Sequence, residues 1–354
     1  MSFAGGGSDL PAFYRRFGGA VVSAAIDKYI YVTVNKKFDS RIRVSYSVTE
    51  EVESVAEINH RIVRAALQKL DLPGGLEITS IADIPSRGTG LGSSSSFTVG
   101  LLLALHAYKS QYISSGDLAA ESCQVEIELC GEPIGKQDQY AAAFGGLNFI
   151  RFQPDDSVTV EPILCNRETL MHLQSQLVTF YTGITRQASS ILAQQSVSAG
   201  SSAPTQRLMR RLKGLAFDLR TELNHGQLEA LGEIMDEGWC LKREIHAGIS
   251  NSDIDDYYAA AKRAGALGGK LLGAGGGGFL TFFAPADTHT QIEKAIGLRR
   301  VPICFEPSGS RILLYHNPLP AHSTLQLRES FPRLESKLAG IPASIEPLDG
   351  VWAV

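Results

Sequence analysis

Along this 354-residue chain the spacing of apolar and polar positions changes between a period near two and a period near 3.6, and each change marks an element. Residues 20–26 and 29–37 are apolar or alternating with β-branched and aromatic side chains, and 41–47 alternates cleanly, so all three predict strands. Ile58, Ile62, Val63, Ala66, Leu67 and Leu70 share one helical face, and Pro73-Gly74-Gly75 stops that helix. A short strand over 76–81 precedes a glycine loop and an apolar helix from Phe97. A second helix spans 117–129, an Ala-rich turn leads to Gly145-Gly146, and 147–152 resumes as strand.

Beyond a composition shift at 158–168, residues 177–182 open a second domain as a strand. The polar stretch 196–205 reads as a mobile connecting loop. Leu208, Leu212, Leu215, Leu219 and Leu223 form one core stripe, and Leu228, Leu231, Ile234, Met235 and Trp239 another. The Asp-rich segment 251–256 sits at a helix start, where capping accounts for it better than metal binding. Gly273, Gly275 and Gly278 satisfy G-x-G-x-x-G, yet a strand follows, so a glycine hairpin fits better than a dinucleotide site. Residues 311–315 predict a late strand, and the last thirty or so are irregular.

Length suggests two domains, which the composition shift places at 1–165 and 166–354. A net charge of −4 supplies no field for nucleic acid or an anionic membrane. The apolar run 97–108 is too short to span a bilayer, and the first residues carry no export signal. Five scattered cysteines without a C-x-x-C pair point to free thiols in a reducing cytoplasm. The helical stripes leave a homodimer or higher homo-oligomer open.

Chemistry concentrates in Ile84-Pro-Ser-Arg-Gly-Thr-Gly-Leu-Gly-Ser-Ser-Ser-Ser. Gly88, Gly90 and Gly92 free the backbone around Leu91, and Ser93, Ser94, Ser95 and Ser96 start the helix. A helix opening on such a loop presents unpaired N–H groups and a positive dipole end to an anion. No lysine follows a glycine as a Walker loop requires, and Ser93 stands where a Rossmann loop needs its last glycine. From these residues alone, a Gly/Ser turn capping a buried helix stays open beside the phosphate site.

Three glycine segments in this order resemble the motifs of the GHMP small-molecule kinases. Ser2 to Leu10 is similar to motif one, Pro85 to Ser95 to the phosphate loop, and Lys270 to Gly278 to motif three. Segments 4–14, 26–29 and 135–140 resemble in particular the D-glycero-D-manno-heptose 7-phosphate kinases. The resemblance implies an α+β fold with an N-terminal ribosomal-S5-like domain and a C-terminal ferredoxin-like domain. It implies a kinase using ATP and Mg²⁺ to phosphorylate the anomeric hydroxyl of a sugar phosphate, toward nucleotide-activated heptose for surface polysaccharide. A kinase of fucose, galactose or mannose and a non-catalytic sensor remain as alternatives.

Carried onto this sequence, the resemblance implies that the loop from Gly88 to Ser96 holds the nucleotide, and that Ser94, with Ser93 beside it, reaches the metal. It implies Glu126 as metal ligand, preferred over Glu121 and Glu128, and Asp138 as the catalytic aspartate, against a capping role. Gly6, Gly7, Ser8, Asp9, Arg186, Gly275 and Gly276 would line the sugar pocket. Arg15, Arg16, Lys28 and Arg186 are candidates for the far phosphate. Family members carry a Pro-Leu-Arg-Ile lead-in that this chain, starting at Met1-Ser2-Phe3, lacks. Reduced activity relative to an upstream-extended version is the expectation.

Overall fold

Strand β1 (Ser2–Ala4) runs through a glycine turn into helix α1 (Pro11–Phe17), and β2 (Gly19–Ala24) returns antiparallel to β1. Proline at the first helical position and Gly18, at φ 63°, bound the helix. The computed structural model describes residues 1–84, 90–184 and 188–316; segments 85–89, 185–187 and 317–354 lie outside the described residues. Met1–Ser310 is one compact unit, and Arg311 begins another.

Strands β3 (Ile30–Lys36), β4 (Ile42–Ser45) and β5 (Thr49–Val52) precede α2 (Arg61–Lys69) and β6 (Leu76–Ala82). They form a sheet of order β3-β6-β4-β5 in which β4 and β6 are parallel. Helix α3 (Ser93–Tyr108) covers β3, followed by α4 (Ser115–Cys123), a π-helical turn over Gln124–Leu129, and α5 (Gln137–Phe144). Strands β7 (Leu147–Phe152) and β8 (Val158–Pro162) complete a sheet of order β1-β2-β7-β8. Next come α6 (Arg167–Ser175), β9 (Leu177–Tyr181), α7 (Ala188–Ser201), α8 (Ala203–Asn224), α9 (Leu231–Ile245) and α10 (Ser252–Arg263). The hairpin β10 (Gly268–Leu271) and β11 (Phe279–Phe283), helix α11 (His289–Ile296) and β12 (Arg299–Arg300) build a third sheet of order β10-β11-β9-β12.

Every residue of β2 is buried because both faces of its sheet are covered. Val21 points with Ile150 and Phe152 into a core built by α2 to α5. Ala20, Val22 and Ala24 point with Phe149 into a second core containing Leu212, Leu215, Leu219 and Leu223 of α8. Residues from both sides of position 165 thus share one core. Leu219 is fully buried in it. Leu219→Ala is expected to cost about 2–5 kcal/mol in urea unfolding, the range for emptying a packed leucine site; a loss well below that would mean α8 does not seal this sheet.

Three expectations are corrected. Residues 196–205 are helical except for Ser202, which caps α8, because Ala199, fully buried, packs with Leu10, Phe13 and Met209, and small residues let α7 approach α1. The Ala-rich stretch before Gly145 is helix α5, whose alanines favour helix over turn. Residues 311–315 form no strand: the run Arg-Ile-Leu-Leu-Tyr is exposed, and no layer among the described residues buries it. Asn251 caps α10 by accepting the Ile254 N–H at 3.0 Å, as the capping interpretation requires.

Candidate active site

Helix α3 begins at Gly92, whose left-handed φ of 70° turns the loop into the helix without any side-chain cap. Its first-turn N–H groups are therefore left for an external acceptor. Gly90, at φ 75°, has no room for a side chain: a Cβ there would overlap the Leu272 carbonyl. A Cβ on Gly92 would stand 3.0 Å from the Asp138 carboxyl carbon. Ser93 is buried with a hydroxyl that has no partner among the described residues, whereas Ser94 is exposed at the helix start. Ser95 is buried, Leu91 and Ser96 are partly so, and Gly88 lies outside the described residues.

The Ser94 hydroxyl donates to Glu126 Oε1 at 2.7 Å, and the Gln139 side-chain amide donates to Oε2 at 2.6 Å. Glu126 is fully buried. Its placement comes from the π-helical turn, a rare geometry associated with functional sites, which widens the helix just where the carboxylate points inward. Burial raises the carboxyl above its usual range, opposed by the hydrogen bonds from Ser94 and Gln139. Glu121 instead pairs with His106 at 2.8 Å, and Glu128 is exposed.

Asp138 lies in the first turn of α5 but does not cap it; no side chain caps that helix. Burial raises its carboxyl, and nearby cations, Lys242 and Lys270 among them, pull it back. Asp9 is buried and accepts from the Gly7 N–H at 3.0 Å and the Gln137 N–H at 3.1 Å. Burial is again the main cause that raises it. A Cβ on Gly135 would overlap the Asp9 carboxylate, which explains a glycine there. Gly6 faces Ser2 Oγ and the Gln137 amide, while the Ser8 hydroxyl is spent on both backbone groups of Ala20.

Two cations that sequence reasoning did not assign to the site meet these acids. Lys242 of α9 is buried, and its ammonium donates to the Gly273 carbonyl at 2.5 Å. Lys270 of β10 is buried with Ser2 Oγ 3.5 Å away. Burial lowers both, to about 8 for Lys242 and about 7 for Lys270. Lys242 was legible: it falls three residues after Trp239 on an otherwise apolar stripe. Around the hairpin turn, a Cβ on Gly273 would overlap Gly90, and one on Gly275 would stand 2.8 Å from Ile249 Cα. The Gly276 N–H donates to the Ile249 carbonyl at 2.9 Å. Arg15 is engaged by Asp156 at 3.0 Å, Arg16 by the Gly200 carbonyl, and Lys28 by Asp27 at 2.9 Å. Arg186 lies outside the described residues.

Residues 57–146 match the family described as GHMP kinases N terminal domain, and residues 219–298 match GHMP kinases C terminal. The D-glycero-alpha-D-manno-heptose 7-phosphate kinase of Campylobacter jejuni is 30% identical over 311 residues, covering 84% of this chain and 90% of that protein. The chain is a GHMP kinase. Its α+β two-domain fold follows, and with sugar kinases among its relatives it is a carbohydrate kinase. A galactokinase of Pyrococcus furiosus is 25% identical over 313 residues, 78% of this GHMP kinase and 86% of its own length. The solved structure of a D-glycero-D-manno-heptose 1-phosphate kinase from Bacteroides thetaiotaomicron superposes with TM-score 0.71 at 25% identity, covering 87% of this chain and 94% of the other. The N-terminal match contains Ser94, Glu126 and Asp138, and the C-terminal match contains Lys242 and the glycine hairpin. No helix of the described residues is long and apolar enough to cross a membrane.

Proposed function

We propose that this sugar kinase transfers the γ-phosphoryl group of ATP to the anomeric C1 hydroxyl of D-glycero-D-manno-heptose 7-phosphate. The product is the 1,7-bisphosphate, toward nucleotide-activated heptose for surface polysaccharide made from the cytoplasm. The observation that carries the chemistry is the Asp138 carboxylate set against Gly92, where α3 turns its free N–H groups outward. An acid within reach of a nucleotide phosphate site suits a hydroxyl nucleophile. The substrate is suggested by the Campylobacter jejuni relative; that relative and the solved Bacteroides structure carry names that put the phosphate on different carbons.

In this reading the loop from Gly88 to Ser96 binds the nucleotide phosphates. Asp138 Oδ accepts the proton of the sugar hydroxyl as its oxygen bonds to the γ-phosphorus and the bond to ADP breaks. Asp9, Gly6, Gly7 and Ser8 shape the sugar pocket together with Gly275 and Gly276, Arg186 is the further sugar-pocket residue in this assignment, and the halves 1–165 and 166–354 each contribute to the site. Mg²⁺ fits the donor set: Glu126 and the Ser94 hydroxyl are hard oxygen ligands already 2.7 Å apart, and Ser93 has a hydroxyl to spare. When bound, the cation would neutralise charge on the phosphate oxygens. The galactokinase relative favours a second reading, a kinase of an unphosphorylated sugar.

Turnover with heptose 7-phosphate, fucose, galactose and mannose separates the two. Preference for the sugar phosphate is expected to be on the order of 100-fold in kcat/KM, because a site built for a charged group rejects analogues that lack it. Preference for any of the other three would overturn the heptose assignment.

A further inference from the structure

A lysine on the apolar stripe of α9 is costly to keep. Its stem is buried on the helix that also buries Met235 and Trp239, and a methionine would fill that space without burying an ammonium. Among the described residues the ammonium is held by a bond to the carbonyl of Gly273 at 2.5 Å. Gly273, at φ 76°, begins the hairpin turn, and its Cα packs directly on the backbone of Gly90 with no side chain between them. Gly90 in turn stands two residues before Gly92, where α3 starts. Backbone contacts this close leave the phosphate loop's position to whatever fixes the opposing carbonyl. Asp9 and Asp138 favour the charged form of Lys242, which burial opposes.

We infer that Lys242 is a positioning residue for the nucleotide: by pinning the Gly273 carbonyl it sets the hairpin turn against the phosphate loop and so aligns the first-turn N–H groups of α3. The inference rests on the phosphate loop being the nucleotide site. The hydrogen bond of Lys242 goes to the hairpin backbone and not to a side chain of the sugar pocket, so its main effect belongs to nucleotide affinity rather than to the acceptor.

The test measures ATP binding to the full chain without sugar, by titration calorimetry, together with KM for both substrates and the melting temperature. Lys242→Met is expected to weaken ATP binding about 10-fold or more, as loss of a charged, buried hydrogen bond would, while KM for the sugar moves less than about threefold. Lys242→Arg should recover part of that loss. Gly273→Ala, which pushes the same turn away from Gly90, should give the same pattern, and the double variant Lys242→Met/Gly273→Ala should be no worse than the weaker single, since both act through one contact. Unchanged ATP affinity in a folded Lys242→Met chain, a loss confined to sugar KM, or fully additive effects in the double variant would each overturn the inference. Should the unsubstituted chain itself fail to bind ATP, the nucleotide site assignment fails instead.

Discussion

Asp138→Asn is expected to lower kcat by about 10³-fold, in the range that a positioned general base contributes, while ATP affinity stays within about threefold. The amide keeps the shape of the side chain against Gly92 and removes only the ability to take a proton. The unsubstituted enzyme should lose kcat/KM on the acid side at a pH above the ordinary aspartate value, because burial raises this carboxyl and the protonated form is inactive. The residual activity of Asp138→Asn should lack that acid limb. Stability moves oppositely. A carboxyl whose folded pKa is raised penalises the fold above that pKa, where it is ionised, and not below the unfolded value, so the variant is at least as stable as the parent at neutral pH. Rate constants measured across pH 5–9, with melting curves alongside, check all three. Turnover within a factor of about ten of the parent would remove Asp138 as the base.

The parts of the fold written in short-range pattern were legible. Strands β2, β3 and β6, the leucine stripes of α8 and α9, the Asn251 cap and the glycine hairpin all announce themselves through periodicity or turn chemistry. What escaped depends on partners distant in sequence. Helix α7 is weakly patterned, and Ala199 makes sense only once α1 supplies Phe13 to pack against it. Residues 311–315 carry a short apolar run that a strand would suit, but nothing among the described residues buries it and no strand forms. The site divides in the same way. Ser94, Glu126, Asp9 and Asp138 stand in recognisable segments, yet nothing in the sequence says that the helix carrying Glu126 widens into a π turn. Lys242 sits in the open as a charge on an apolar stripe, and only the fold shows that the stripe faces the Gly273 carbonyl.

Glu126→Gln separates function from stability most sharply. The carboxylate is fully buried between two donors, Ser94 and Gln139, and burial is the largest influence on it. A glutamine of the same shape can still accept from Ser94. The Gln139 amide, whose own carbonyl oxygen has no partner among the described residues, can turn over to receive the new N–H group. The charge penalty disappears at no cost in packing, so the melting temperature at pH 7 is expected to rise by about 1–3 °C. The sign fixes where this gain is seen. The penalty accrues from the ordinary glutamate value upward and is complete only above the raised folded pKa, so the advantage grows with pH and fades as the pH falls toward the ordinary glutamate value. If Glu126 holds the cation as proposed, activity is expected to fall over the same substitution by about 10²-fold or more, the ~3 kcal/mol that one anionic ligand to a charge-neutralising cation is worth. The Mg²⁺ concentration for half-maximal rate should climb with it. Calorimetric melting at pH 7 and pH 5 and a Mg²⁺ titration of the rate decide the matter. A variant that melts several degrees lower marks Glu126 as a structural carboxylate, and an unchanged Mg²⁺ dependence takes it out of the metal site. A chain that gains stability as it loses turnover carries this buried charge for the reaction and not for the fold.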